Sequence, residues 1–395
     1  MLLWGTINNK IQFLKIGGAS DLLNSARRTI TKTGNHASRL PILELAQSNR
    51  GQKMSGAPSG QSPPPQVQLM QMAMGFAVPF LLRAAAELRL ADHLATGPKT
   101  AGEISAITGT HAPALYRLLR TLACIGVFNQ DESDRFSLTP LAEPLRSDSP
   151  GSVRTSILSI TGDLFIVPWS KLAYSVQTGQ SAFDKHFGVP FFDHLNSNPE
   201  EAAMFSDLLI GINSPDAPAI AAAYTFSGCS YIADIGGGTG HILATILASH
   251  PGPRGTVFDL PFNEGGAAEL IRSRGLSNRM TFVAGSFFEN VLSGCDLYIL
   301  SHIIHDWSEA QGLGILGNCR RAMSPDSRLL IIEIVLPEGN TFHPGKMLDM
   351  TMLATTLGQE RTEHEYRMLL EKAGFKLSRV IPTSSSVSIV EAIPA

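Results

Sequence analysis

The chain has 395 residues, 44% of them hydrophobic, with a formal net charge of -3 and four cysteines. That length and apolar content predict a sizeable buried core in two domains, and so small a net charge gives no general reason to bind nucleic acid or an anionic membrane. No apolar run reads as long enough to span a membrane, so a soluble, cytoplasmic protein is expected; Cys124, Cys229, Cys295 and Cys319 show neither metal-knuckle nor CxxC spacing and read as reduced thiols.

The charge is unevenly spread. Residues 1 to 53 carry eight Lys or Arg against Asp21 and Glu44, a balance of +6, which leaves about -9 on the rest. A basic, acid-poor start suggests an organelle transit segment or a translated upstream stretch with Met54 as the true start. The second is favoured, because no strong amphipathic periodicity runs through it. "SGAPSGQSPPPQ" (55 to 66) has linker composition, so residues 1 to 66 are expected to form a disordered basic tail and linker.

From Val67 the spacing is helical: "FAVPFLLRAAAELRLADHLATG" is apolar at helix intervals up to a Gly-Pro stop. Then "TAGEISAITGTHAPALYRLLRTLACIGVFNQDESDRFSLTP" predicts two short helices and two strands around a polar turn, the outline of a winged helix. The recognition helix over 112 to 125 would offer DNA only Arg117 and Arg120, while Asp131, Glu132 and Asp134 in the wing would repel phosphates. A dimerisation module is the better reading. Residues 153 to 226 read as helical, with Phe165, Trp169, Phe183, Phe187, Phe191 and Phe192 mainly core and a few able to wall a pocket. A helical domain over 67 to 226 is therefore expected.

A second domain, 227 to 395, opens at "YIADIGGGTGHILATILASHP": apolar strand, glycine turn, helix. Alternating strand-like and helix-like runs follow, with helices expected over 264 to 275, 308 to 323 and 362 to 373. This predicts an α/β fold with a parallel sheet, ended by "KLSRVIPT" and "SVSIVEAI" as an antiparallel pair. Gly236, Gly238 and Gly240 give G-x-G-x-G, which lacks the third glycine of the dinucleotide fingerprint, and no Lys-Ser or Lys-Thr completes a P-loop. With Asp259 ending the second strand and able to accept two ribose hydroxyls, an adenosine ligand without pyrophosphate is expected.

In "HIIHDWSEAQ" (302 to 311), His305 reads in three ways: a general base, a metal ligand with His302 and Asp306, or a core histidine. Spacing alone favours the core, and no known metal-ligand spacing appears. Asp306 reads as a cap of the next helix and Trp307 as packing. His241, at the start of a helix, is given no role.

"ADIGGGTG", "FDLP", "GSFFE", "IIHDWSE", "LLIIEIVLPEG" and "DMTMLATTLGQERTEHEYRMLLEKAGF" resemble, in order and spacing over residues 67 to 395, the S-adenosylmethionine-dependent O-methyltransferases of the acetylserotonin and caffeate methyltransferase type. The resemblance implies a class I methyltransferase Rossmann-like sheet behind a winged-helix dimerisation domain, a homodimer and S-adenosylmethionine as cofactor; ligand spacing, the acidic wing and the small net charge add the expectation of no metal, no nucleic acid and no membrane partner. The acceptor would be a small, hydroxylated, as a rule aromatic molecule. It places Gly236 and Gly238 at the methionine moiety, Asp259 at the ribose, and His305 as general base flanked and oriented by Glu333 and Glu360. Trp169, Asp349 and Met352 would line the substrate pocket. Ser286 replaces an aspartate that helps hold the adenine, on which Phe287 would pack, and Ser301 stands where many members have Lys or Arg, so weaker cofactor binding is expected. The same scaffold also serves decarboxylases, hydroxylases and pericyclases, and a winged-helix ligand-sensing regulator is a further alternative. Intact His305, Glu333 and Glu360 argue against the first, and the acidic wing argues against the second.

A phenol with a pKa near ~10 is a poor nucleophile at neutral pH, whereas an imidazole near ~6.5 can take its proton as transfer proceeds. A carboxylate on the other ring nitrogen would fix the tautomer and stabilise the imidazolium.

Overall fold

The computed structural model describes residues 63–395 apart from Ser214. The basic segment 1–53 and most of the 55–66 stretch lie outside the described residues. One unit of the chain ends at Gly75 and a second runs from Phe76 to Ala395.

Within the first unit a helix, Pro65–Met74, begins two residues before the expected Val67. Pro65 stands in its first turn, where a missing N–H costs nothing. Its apolar side chains Leu69, Met70, Met72 and Met74 are exposed. Contrary to the sequence reading, Pro65–Glu87 contains an 18-residue window with a mean hydropathy of 1.4, long and apolar enough to cross a membrane by length and composition only. Gln66, Gln68 and Gln71 disguise that run while leaving its average apolar.

The second unit starts with helices Ala77–Glu87, Leu90–Leu94, Ala101–Thr108 and Ala112–Cys124, and with strands β1 (Lys99–Thr100), β2 (Phe128–Gln130) and β3 (Arg135–Leu138) in the antiparallel order β1-β3-β2. Thr100 and Glu103 form a reciprocal capping box at the start of the third of these helices, Ala101–Thr108. Ile104, Leu119, Leu122, Phe128 and Phe136 fill the winged-helix core. Within this module only β1, two residues long, escaped the sequence reading. Seven further helices from Arg154 to Ala223 follow; Phe165, Phe183 and Phe191 are buried among them, and Phe183 stacks on Phe187 at 4.3 Å.

The larger sheet takes β4 (Tyr231–Ile235), β5 (Arg254–Asp259), β6 (Met280–Ala284), β7 (Leu297–Ser301), β8 (Arg328–Glu333), β11 (Phe375–Pro382) and β12 (Ser388–Pro394), in the order β11-β12-β8-β7-β4-β5-β6. The strands from β6 to β8 are parallel, and β12 runs antiparallel to both β8 and β11. Ile232, Leu297 to Leu300 and Leu329 to Ile332 are fully buried, as strands covered by helices on both faces must be. Helices Glu264–Ser273, Glu309–Ala322 and Glu363–Lys372 lie where expected. The winding direction reverses between β4 and β7, so their carboxyl ends form the crevice where such sheets bind ligands. A short parallel bridge, β9 (Val335–Leu336) to β10 (Arg361–Thr362), joins the exit of β8 to the segment carrying Glu360.

Candidate functional site

Two groups of residues meet at the carboxyl ends of β4, β5, β7 and β8. The first is the glycine turn after β4. Gly236, Gly238 and Gly240 have φ of 71°, 59° and 86°, the left-handed region open to glycine. A Cβ on Gly236 would stand 2.5 Å from Ile303 Cδ1, and one on Gly237 2.4 Å from Asp234 Oδ2. Asp259 Oδ2 accepts the Gly238 N–H at 2.7 Å, while its Oδ1 accepts from Leu260 N at 2.6 Å and Asn263 Nδ2 at 3.0 Å. Three of roughly four acceptor positions on that carboxylate are therefore used, fewer being left than the two expected for a ribose diol.

Asp234, beneath this turn, is 1% exposed and both its oxygens are buried without a hydrogen-bond partner. Burial, reinforced by the charge of Asp259, pushes its carboxyl up to about 7. Ser301 Oγ, at the end of β7, is likewise buried and unpartnered. Phe287 packs against Phe288 at 4.9 Å and its carbonyl accepts from Asn318 Nδ2, while Ser286 Oγ accepts the Phe288 N–H at 3.3 Å. An acid-lined turn of this kind suits a ligand carrying positive charge rather than a pyrophosphate.

The second group surrounds His305, on a 3-10 turn, Ile304–Asp306, just after β7. Its Nδ1 lies 2.6 Å from Oε1 of the fully buried Glu360 side chain. Glu333 flanks His305 through the main chain rather than the ring: its Oε1 accepts the main-chain N–H groups of Ile303 and His305, each at 3.1 Å, and its Oε2 accepts the hydroxyl of Tyr366 at 2.5 Å. One glutamate thus holds the ring and the other holds the turn. Asp349 Oδ1 accepts the Glu360 N–H at 3.0 Å, and the Gln359 N–H donates to the carbonyl of His305 at 2.8 Å. Burial pulls the imidazole down, but Asp306, Glu360 and Glu333 together outweigh it and lift His305 to about 10. Nε2 has only Asp306 Oδ1 nearby, at 3.6 Å.

Asp306 does not cap the following helix. Ser308 does, accepting the Gln311 N–H, while burial raises the Asp306 carboxyl to about 6. Trp307 packs, as expected, but in a row: it stacks on Phe192 at 5.2 Å and meets Phe288 edge-on at 4.8 Å. His302 turns to Asp216, its Nε2 2.9 Å from Oδ2. Among the described residues no group of three His, Cys, Asp or Glu is arranged to hold a metal.

Trp169, 36% exposed, donates its indole N–H to Thr351 Oγ1 at 3.2 Å, one residue from Met352 on the helix Gly345–Thr355. Asp349 and Glu360 line an open cleft of about 390 Å³ beside Leu336, Lys346 and Thr362; neither Trp169 nor Met352 reaches it. Sequence reasoning passed over Asp234, Tyr366 and Gly358. An acidic residue near the end of an otherwise apolar strand, two positions before the glycine turn, is a usable signal for Asp234. Nothing in the spacing marks Tyr366 as the partner of Glu333.

The family model of an O-methyltransferase domain matches residues 169–376, and that of an O-methyltransferase dimerisation domain matches residues 70–148. Phenazine O-methyltransferase PhzM of Lysobacter antibioticus is 43% identical over 326 residues, covering 82% of this chain and 95% of that protein. The mitomycin biosynthesis 6-O-methyltransferase of Streptomyces lavendulae is 35% identical, over 78% of this chain and 89% of its own. The crystal structure of NcsB1, an O-methyltransferase from neocarzinostatin biosynthesis in complex with S-adenosylmethionine and 2-hydroxy-5-methyl naphthoic acid, superposes with a TM-score of 0.72 at 35% identity, over 81% of this chain and 96% of that one.

Proposed function

Since the chain belongs to the S-adenosylmethionine-dependent O-methyltransferases, we propose that it methylates a hydroxyl of a small aromatic metabolite and that His305 is the general base. The observation that carries this reading is the His305–Glu360 pair: a ring held at Nδ1 by a buried carboxylate at 2.6 Å, with nothing nearer to Nε2 among the described residues than Asp306 Oδ1 at 3.6 Å.

The residues at the β4–β7 crevice fit the cofactor. Asp234 is a buried carboxylate without a partner, which suits a ligand carrying positive charge, and the glycine turn lets that ligand approach the main chain closely. In our reading Gly236 and Gly238 receive the methionine moiety and Asp259 a ribose hydroxyl, while Ser286, Phe287 and Ser301 border the adenine. When bound, the cofactor supplies a methyl group already made electrophilic by its sulfonium charge. What remains for the protein is to position the acceptor oxygen in line and take its proton. His305 takes that proton at Nε2, and Glu360 stabilises the imidazolium that results. Three carboxylates raise His305; the positive charge of a bound cofactor would oppose that rise and favour the neutral ring, which accepts at Nε2. Glu333 and Tyr366 fix the turn on which the ring sits.

Trp169, Asp349 and Met352 are assigned to the acceptor side. Names of relatives, phenazine, mitomycin and naphthoate enzymes among them, support a fused or substituted aromatic acceptor. A homodimer through the N-terminal region accounts for the exposed Met70, Met72 and Phe76 within the dimerisation match. Incubation with labelled S-adenosylmethionine and a panel of phenols, naphthols and hydroxyphenazines tests the reading. A product heavier by one methyl group is expected, and its loss in His305→Gln with cofactor affinity retained. Full turnover by that variant would overturn the base assignment.

A further inference from the structure

His302 is the one residue of the site that stands in a strained conformation and has a partner of its own. Its φ is 53°, in the left-handed region that non-glycine residues occupy at a cost of about 1 kcal/mol or more. Its main-chain N–H continues the pairing of β7 with β8 by donating to the carbonyl of Ile332 at 3.1 Å, so the strain falls at the very point where the strand gives way to the turn of His305. The backbone there directs the imidazole to Asp216, the first residue of the helix Asp216–Ala223, with Nε2 2.9 Å from Oδ2. The Asp216 side chain is 2% exposed and that of His302 19%. A buried carboxylate thus fixes one ring nitrogen. Among the described residues nothing takes the other, Nδ1. The rings of His302 and His305 are 5.5 Å apart, centre to centre.

We propose that His302, positioned by Asp216, is a specificity-determining residue that receives a second oxygen of the acceptor, on the ring carbon next to the hydroxyl that His305 deprotonates. This rests on the methyl-transfer reading of the same site. Two imidazoles 5.5 Å apart are spanned by two oxygens on adjacent aromatic carbons, each one hydrogen bond away from its histidine. With Nε2–H pinned on Asp216, neutral His302 offers the Nδ1 lone pair to a neighbouring hydroxyl, and protonated His302 offers Nδ1–H to a neighbouring carboxylate or carbonyl. Both cases describe one acceptor class, phenols with an oxygen substituent ortho to the reacting hydroxyl. A purely structural pair would tie the helix Asp216–Ala223 to β7 equally well from a relaxed backbone, without turning the ring beside the base.

The test measures binding of three naphthalenes of matched size, 2-naphthol, 2,3-dihydroxynaphthalene and 3-hydroxy-2-naphthoate, to the protein saturated with S-adenosylhomocysteine, by calorimetry. The two ortho-oxygenated compounds are expected to bind about tenfold more tightly than 2-naphthol, the worth of one hydrogen bond to a charged or strongly polarised group. In His302→Asn, which tolerates left-handed φ, that ratio should fall to within about threefold of unity, with S-adenosylhomocysteine affinity unchanged. Asp216→Asn, which keeps the side-chain shape, should give an intermediate ratio. No preference in the wild type, a preference surviving in His302→Asn, or equal weakening of all three compounds would overturn the proposal. A binding preference that depends on His302 but is accompanied by no methyl transfer would instead count against the methyltransferase reading.

Discussion

Glu360 presents Oε1 to Nδ1 of His305 at 2.6 Å from a fully buried side chain, and its other oxygen is buried with no partner. A carboxylate so placed sets both the tautomer and the orientation of the ring. Glu360→Gln keeps the shape but can present an N–H to Nδ1, which would move the ring proton to Nε2 and leave it unable to accept. Turnover is expected to fall by about 10²- to 10⁴-fold with cofactor affinity nearly unchanged, while the melting temperature falls by the share of the His305 stabilisation that Glu360 supplies. Steady-state kinetics, calorimetry and thermal melting on one preparation check this; a variant as fast as the wild type would show that the tautomer is set elsewhere.

The carboxylates around His305 also make stability depend on pH. Its folded pKa is raised from the ordinary 6.5 to about 10, so the folded state binds the proton more tightly than the unfolded chain does. The stabilisation is complete below about pH 6.5 and is lost as pH rises toward 10. The melting temperature of the cofactor-free protein should therefore decline across that window. His305→Gln, with no proton to lose, should flatten the decline, while raised pH should partly rescue its methyl transfer to a phenol as solvent ionises the hydroxyl. Identical pH profiles for the two proteins would contradict the assignment.

Asp234 has linkage of the same sign in a more acidic window. Its carboxyl is raised from 3.8 to about 7, so its burial cost appears as pH climbs from about 4 and is fully present above about 7. Asp234→Asn should stabilise the cofactor-free protein at pH 8 by up to about 4 kcal/mol, the worth of a three-unit shift, while having little effect at pH 4. It should also weaken S-adenosylmethionine binding at least tenfold, because the buried negative charge is then gone. Unchanged affinity in a more stable variant would mean that the carboxylate serves neither cofactor nor fold.

How far the sequence revealed this site depended on the range of each interaction. The glycine turn, Asp259 and the strand before His305 are local patterns, and each lies where periodicity and motif order put it. Pairing across the chain was not legible in the same way. Glu333 and Glu360 both came from the resemblance as residues orienting His305, yet one bonds main-chain amides and Tyr366 while the other bonds the ring. That division follows from the β9–β10 bridge, whose two-residue strands are too short to leave a period. Asp216 and His302 are 86 residues apart, and no spacing rule connects them. Asp306 was read as a cap because Asp favours that position, but Ser308 lies closer to the helix and took the role.

Gly358 shows the same dependence on tertiary contact and supports a sharper expectation. A Cβ at this position would stand 1.9 Å from the carbonyl oxygen of His305 and 2.8 Å from the carbonyl carbon of Asp306. Both are main-chain atoms, so no side-chain rotation relieves the clash. The close approach exists because the Gln359 N–H donates to that same His305 carbonyl at 2.8 Å, drawing the Glu360 segment onto the turn of the base. Gly358→Ala must push these two segments apart, which breaks that bond and moves Glu360 relative to the ring. A loss of about 2 kcal/mol or more in stability is expected, with a fall in turnover of about 10²-fold even in the folded fraction, since displacements of about 1 Å are enough to cost that much. Gly252, with ordinary φ and nothing within 4 Å of its virtual Cβ, provides the control: Gly252→Ala should change neither quantity. Thermal melting and turnover per folded molecule, measured on both variants, decide the matter. A Gly358→Ala protein that melts and turns over like the Gly252→Ala control would mean that the Glu360 segment yields without disturbing His305.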